Sequence, residues 1–437
     1  MISRKDTETL FRKDWPQFKM PPVRIVVIGL GGFAEAHLNA VIWLEQQNLT
    51  QLAGVVAIEY DRRRFPDKVQ NLMARNIPLY SSIEDFFQRG KNTAEVLTVP
   101  IGIHQHVPVA IQALTAGLHV YCEKPVAATI QEVDQLIAAQ KRSGKLVAIG
   151  YQYMYSNSIQ QLKTRISDGR LGAVKSAALI CAWPRSDAYY ARNDWAGRMK
   201  KDGHWVLDSP MNNAMAHYLQ NLLYLASVHR DQAAVPIAVT AELYRSRQLE
   251  SCDTALLRIN CDNDSLLHFY VTHCSKRAFG PQMKLSCENG VVQWQNDNGE
   301  ATIRYHDGNE EKFANTGEFW LFEGFRNFVQ AIRGEARLLC PPEICRSHTL
   351  AINAAHESCP VITPFPADWI RTETAPETIP SPLPEGSFKR VAGLDDLLWR
   401  AYETGKLFSE MNVAWAIGGK PFRLANYRHF PSHWQSA

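Results

Sequence analysis

Long apolar runs are missing from this sequence. No stretch of the 437 residues approaches the roughly 20 consecutive apolar side chains needed to cross a bilayer, so no membrane span is expected. An excess of one charge is missing too. The 47 basic and 44 acidic residues leave a formal net charge of +3, spread along the chain. The basic stripe of a nucleic-acid binder is therefore absent, and small molecules are the expected ligands. Paired cysteine spacing is also lacking: nine scattered cysteines, an odd number, argue against a disulfide framework. The closest pair, Cys340 and Cys345, stands without the partner residues of a zinc site, and no metal is expected. The first twenty residues hold no continuous apolar segment of the secretory kind, which points to the cytoplasm. Internal repeats and blocks of like charge do not occur.

What is present is the composition of a soluble globular protein, 46% hydrophobic and 21% charged, in a chain long enough for two domains. Residues 23–29, "VRIVVIG", form a β-branched run ending in glycine, as a buried parallel strand does. The loop that follows, "GLGGFA", places Gly29, Gly31 and Ala34 in the G-x-G-x-x-A pattern, with Gly32 and Phe33 between, and then opens a helical spacing. Gly29 permits the tight turn, Gly31 lets backbone approach a pyrophosphate, and Ala34 lets helix pack on strand. A helix N-terminus there offers free amides to phosphate. A second strand, "LAGVVAIEYD", ends near Glu59 and Asp61; Glu59 is the first choice for gripping the adenosine ribose, and Arg63 in the "RRR" run could accept a 2′-phosphate. Further strand runs at 94–100, 119–125 and 146–151 alternate with helical spacing, which specifies a doubly wound parallel sheet. Lys124 sits at the carboxyl end of one of these strands, where such sheets bind ligands.

The "GLGGFA" loop, "VPIGIH", "ALTAGLHVYCEKP" and "LKTRISDGRLGAVKSA" together resemble the Gfo/Idh/MocA oxidoreductases, a family named for glucose-fructose oxidoreductase, inositol dehydrogenase and a rhizopine catabolism protein. The resemblance covers most of residues 22–365. It implies that Lys124 of the Glu-Lys-Pro motif contacts the substrate hydroxyl and the nicotinamide, with Glu123 holding the turn and Pro125 often following a cis peptide. It implies a helical Asp-x-x-x-His pair, matched here by Asn213 and His217, with His217 as catalytic base and Asn213 positioning a hydroxyl. Asp208 is a candidate to supply the charge that Asn213 lacks. Pro100 and His104 match the family's T-P-N-x-x-H, although Val99 and Ile101 replace its threonine and asparagine.

Beyond residue 151 successive strand-like runs suggest a large open, mainly antiparallel sheet packed on helices. The segment 183–205 is dense in groups that line sugar sites: Arg185, Tyr190, Asn193 and Trp195, with Tyr151 and Gln152 near the domain junction. The expected organisation is an N-terminal arm (1–21), a Rossmann domain (22–150), a substrate-binding and oligomerisation α+β domain (151–365) and a C-terminal extension (366–437). That extension begins with the proline-rich "TAPETIPSPLPEGS", read as an extended linker, and continues as an amphipathic helix, "GLDDLLWRAYETGKLFSEM". Its aromatics are expected to dock on the same or a neighbouring subunit. By resemblance the protein is a homo-oligomer, dimer or tetramer. The expected activity is that of an NAD- or NADP-dependent dehydrogenase acting on a secondary hydroxyl of a sugar, polyol or sugar derivative. Two alternatives stay open: an NAD-retaining enzyme that cleaves or epimerises glycosides through transient oxidation, and a non-enzymatic dinucleotide-binding regulator.

Overall fold

The computed structural model describes residues 20–295, 299–315, 320–374 and 386–432. Most of the expected N-terminal arm, residues 1–19, and the proline-rich stretch 375–385 lie outside them.

The first sheet has six strands: β1 (Val23–Ile28), β2 (Thr50–Val56), β3 (Leu79–Tyr80), β4 (Val96–Val99), β5 (His119–Cys122) and β6 (Val147–Ile149). All pair in parallel, in the order β3-β2-β1-β4-β5-β6. The crossovers carry helices α1 (Phe33–Glu45), α2 (Glu59–Arg64), α3 (Pro66–Ala74), α4 (Ile83–Arg89), α5 (His106–Thr115) and α6 (Ile130–Ser143). Strand β1 is almost entirely buried, which is why its sequence runs apolar without alternation. The start of α6 is fixed by the Glu132 carboxylate, which accepts the Thr129 amide (3.0 Å) and hydroxyl (2.7 Å). Strand order reverses between β1 and β4, so a crevice opens beyond their carboxyl ends.

The second part runs through α7 (Asn157–Ser167), β7 (Val174–Ala182), α8 (Asp187–Ala191), a small hairpin of β8 (Lys200–Lys201) and β9 (His204–Trp205), and α9 (Ala216–Ala226). Seven strands follow: β10 (Pro236–Arg245), β11 (Thr254–Cys261), β12 (Leu266–Thr272), β13 (Phe279–Cys287), β14 (Gly290–Gln295), β15 (Glu300–Tyr305) and β16 (Glu310–Phe313). After it come α10 (Trp320–Ile332), α11 (Pro342–Ser358) and β17 (Thr363–Pro364). These strands form a sheet ordered β16-β15-β14-β13-β7-β12-β11-β10-β17, antiparallel except where β7 meets β12 and β10 meets β17. Its inner face shares a core with the first sheet, through residues such as Leu179, Leu219 and Leu223. One helix departs from the expected division. Helix α10, inside the range expected for the second domain, packs Leu321, Phe325 and Phe328 into the α1 side of the first sheet, with Phe325 stacked on Tyr121 at 4.0 Å.

The extension is not a free tail. Strand β18 (Ile370–Thr374) pairs antiparallel with β19 (Ser387–Val391), α12 (Leu394–Thr404) follows, and β20 (Phe422–Arg423) adds to β10. The amphipathic helix forms over Leu394–Thr404, the first part of the expected segment; it ends at Gly405, whose left-handed backbone closes it, and Phe408–Met411 make a separate turn. Its apolar side, Leu394, Leu398 and Ala401, covers the outer face of the second sheet against Ile180, Leu256 and Tyr270. The buried Glu242 carboxylate on β10 accepts the amides of Phe408 and Ser409 (both 3.1 Å) and the Tyr244 hydroxyl (2.7 Å), tying the segment after α12 to the sheet. The outer face of the second sheet thus carries the chain's own helix. Since Phe408 is fully buried in this layer, Phe408→Ala should cost about 3–5 kcal/mol, read as a lowered midpoint of denaturant unfolding.

Candidate active site

The crevice is a cleft of about 780 Å³ between the two sheets. The glycine turn forms its floor. Gly29 has φ +95°, a conformation L side chains avoid, and a Cβ there would press on Ala34 at 3.0 Å. A Cβ on Gly31 would fall 2.3 Å from the Phe65 ring, so only glycine keeps that approach open. No side chain caps the start of α1, which leaves its first amides directed at the cleft. Narrow backbone, uncapped helix end and switch-point position together fit a dinucleotide pyrophosphate.

Of the residues read as cofactor-binding, Gly31, Gly32, Phe33, Pro100, Glu123 and Lys124 line this cleft, while Gly29 and Ala34 shape the turn beneath it. Glu59 and Arg63 do not line it. Strand β2 stops at Val56, so Glu59 falls on the first turn of α2, exposed and paired with Arg63 at 2.7 Å. Asp61 faces the cleft in its place, beside Tyr60 and Arg64; burial raises its pKa. His104 lies at the flank. Its ring crowds Gly102 beside Trp195, and burial lowers its pKa.

Lys124 stands at the carboxyl end of β5, where the Lys124–Pro125 peptide is cis. Its ammonium donates to the backbone carbonyl (3.0 Å) and Oδ1 (2.8 Å) of Asn213, so one residue of the second part receives it twice. Asn213 Nδ2 in turn donates to Asp208 Oδ1 (2.7 Å), whose other oxygen accepts the Gly197 amide at 2.6 Å. Burial lowers the Lys124 pKa, opposed by the charges of Glu123 and Asp208. Burial raises that of Asp208, opposed by Arg192. Behind the lysine, Glu123 accepts the Lys124 amide (3.1 Å) and meets His37 of α1 at 3.1 Å. The His106 ring, also buried and singled out by no sequence signal, lies between the carbonyls of Pro125 (2.8 Å) and Ile101 (3.0 Å) and joins the two loops.

Asn213 and His217 do not share one α-helical face. Residues Pro210–Ala214 form a wide π-turn, and α9 begins at Ala216. The turn leaves Asn213 in the cleft, whereas His217 is buried and is not among the cleft-lining residues. Its ring packs on Tyr153 (4.7 Å) and Tyr151 (5.9 Å), its Nδ1 has no hydrogen-bond partner, and burial, then Lys124 and His348, hold its pKa well below the ordinary value. The charge expected of Asp208 therefore reaches Lys124 through Asn213.

On the opposite wall, Asn193 and Trp195 line the cleft as expected, with Asn193 Oδ1 accepting the Trp195 and Ala196 amides at 3.1 and 2.8 Å. Tyr190 does not. Its hydroxyl turns inward to His273 (2.8 Å), and the adjacent Tyr189 faces the cleft instead. Arg185, Tyr151 and Gln152 are buried outside the lining. Arg192, which no sequence signal separated from its neighbours, follows α8 and also lines the cleft.

Residues 23–151 match the family profile described as "Oxidoreductase family, NAD-binding Rossmann fold". Among curated proteins the chain is 37% identical over 79 residues to inositol 2-dehydrogenase of Salmonella typhimurium, covering 18% of this chain and 24% of that protein. It is 26% identical over 214 residues to inositol 2-dehydrogenase of Azotobacter vinelandii, covering 49% and 57%. The chain thus spans little more than half the length of these curated relatives, or less. Among solved structures, the WlbA dehydrogenase from Bordetella pertussis, crystallised with NADH and UDP-GlcNAcA, superposes with a TM-score of 0.63 at 21% identity, over 79% of this chain and all of that one. Levoglucosan dehydrogenase, in complex with NADH and levoglucosan, gives 0.65 at 15% identity, over 78% and 97%. At such identities the likeness is one of fold.

Because Asp208 favours the ammonium form of Lys124, Asp208→Asn should lower the Lys124 pKa further. Nitrogen NMR of the lysine side chain across a pH series reads the shift, and an unchanged or raised value would contradict the coupling.

Proposed function

We propose, from the match of residues 23–151 to the oxidoreductase family profile and from the cleft beside it, that this chain is a Gfo/Idh/MocA dehydrogenase using NAD or NADP on a secondary hydroxyl of a sugar, polyol or sugar derivative. The observation that carries the reading is that Lys124, already bound through Asn213 to Asp208, shares one cleft with the glycine turn. Gly31, Gly32 and the uncapped start of α1 would hold the pyrophosphate, with Asp61 and Tyr60 toward the adenosine ribose. When bound, the dinucleotide supplies hydride exchange with the carbon that bears the reacting oxygen.

The chain's own part is proton handling and placement. Burial gives Lys124 a larger neutral fraction than a surface lysine has. As the alcohol is oxidised, the neutral amine takes the hydroxyl proton and the carbon gives up its hydride; in reduction the ammonium returns the proton to the developing alkoxide. The resulting ammonium is held by the two Asn213 oxygens and by the field of Asp208. His217 suits this step less well. A proton on Nδ1 would lie buried beside a cation with no acceptor, which favours positioning for His217 and proton transfer for Lys124 in this reading.

Kinetics of the variants test the assignment on a panel of polyols and sugars. Lys124→Ala should lower kcat by about 10²–10⁴-fold with dinucleotide affinity little changed. His217→Asn should lose roughly tenfold or less. The opposite ranking would return the base role to the histidine.

A further inference from the structure

Two cations face the substrate half of the cleft, and neither has a carboxylate within hydrogen-bond distance. Lys124 and Arg192 both line it. Glu123, the carboxylate beside them, is already engaged with His37 and the Lys124 amide. Asp208 lies deeper, with its two oxygens accepting Asn213 and Gly197. The closest approach of Arg192 to it is 3.9 Å, too long for a hydrogen bond.

Arg192 is nevertheless held in place. One guanidinium nitrogen donates to the Tyr189 carbonyl (2.6 Å), and the group lies 3.8 Å from the centre of the Tyr189 ring and 5.3 Å from that of Trp195. A guanidinium stacked on aromatic faces keeps the planar fork rigid while leaving its outer N–H groups for a ligand. Behind the same tyrosine sits Arg185, buried, with its Nε unpartnered and its guanidinium 5.1 Å from the Tyr189 ring. Deeper in this corner Arg247 is paired with Asp187 (3.0 Å) and Asp253 (3.7 Å), so Arg192 is the arginine left facing the cleft. His273 behind it is kept well below its ordinary pKa by burial and then by Arg185, Arg247 and Arg192.

Resting on the dehydrogenase reading above, we propose that the substrate is an acidic sugar, whose carboxylate or phosphate oxygens dock on the Arg192 fork while its ring lies along Trp195 and its reacting hydroxyl meets Lys124. A neutral polyol would leave the fork unmatched in a half-buried wall. An anionic oxygen pair satisfies it bidentately.

Equilibrium binding to the protein–NADH complex tests this without turnover, because a reduced cofactor and an alcohol cannot react. The probes are D-glucuronate, D-glucose 6-phosphate and D-glucose. At least one acidic sugar should bind tenfold or more tighter than glucose; which one identifies a carboxylate or a phosphate as the anion. Arg192→Leu should bring the acidic and neutral sugars within about twofold while NADH affinity stays the same, and Arg192→Lys should retain part of the preference. Glucose binding as tightly as the acidic sugars, no acidic sugar binding at all, or a preference that survives Arg192→Leu would each overturn the inference. Failure to bind NADH would instead sink the dehydrogenase reading, and this inference with it.

Discussion

A half-buried lysine amine needs acceptors, and the site is organised around that need. Lys124 leaves the first sheet at the end of β5 and is received by both oxygens of Asn213, from the turn before α9. Leaving such a charge unpaired would cost several kcal/mol, so the pairing also fixes how β5 and that turn approach each other. The wide π-turn over Pro210–Ala214 presents both the Asn213 carbonyl and its side-chain oxygen to the Lys124 amine. Asp208 then supplies the negative charge from the next position along the chain of hydrogen bonds.

Much of the first sheet could be read from sequence because its signals are local. A β-branched run, a glycine turn and a helical spacing each occupy a few consecutive residues, and β1 with α1 forms where they stand. Lys124 was legible for the same reason, lying in a compact motif at a strand end. Errors came where one or two residues decide which way a side chain faces. Strand β2 ends at Val56, so a helical turn carries Glu59 to the surface and Asp61 to the cleft. In "DAYYAR" the short helix α8 sends Tyr190 inward to His273 and leaves Tyr189 and Arg192 on the cleft side. Sequence spacing assumed an α-helical face for Asn213 and His217, and the π-turn separated them.

Long-range pairings were beyond such signals. Strand β18 pairs with β19, and α10 crosses to the first sheet, contacts that no local pattern specifies. The extension shows the same logic on a larger scale. Its helix had a readable apolar stripe, but which surface it would cover depended on the outer face of the second sheet, where Tyr270, Leu256 and Ile180 await an apolar partner.

The central claim is that the glycine turn and Lys124 form one dinucleotide site. It is tested most directly by denaturing the purified protein, identifying any released nucleotide by mass spectrometry, and titrating the emptied protein with NAD and NADP. The account predicts saturable binding of one dinucleotide per chain, lost when Gly31 is replaced by valine in a protein that still unfolds cooperatively. Absence of binding by either dinucleotide, or undiminished binding in Gly31→Val, would contradict it.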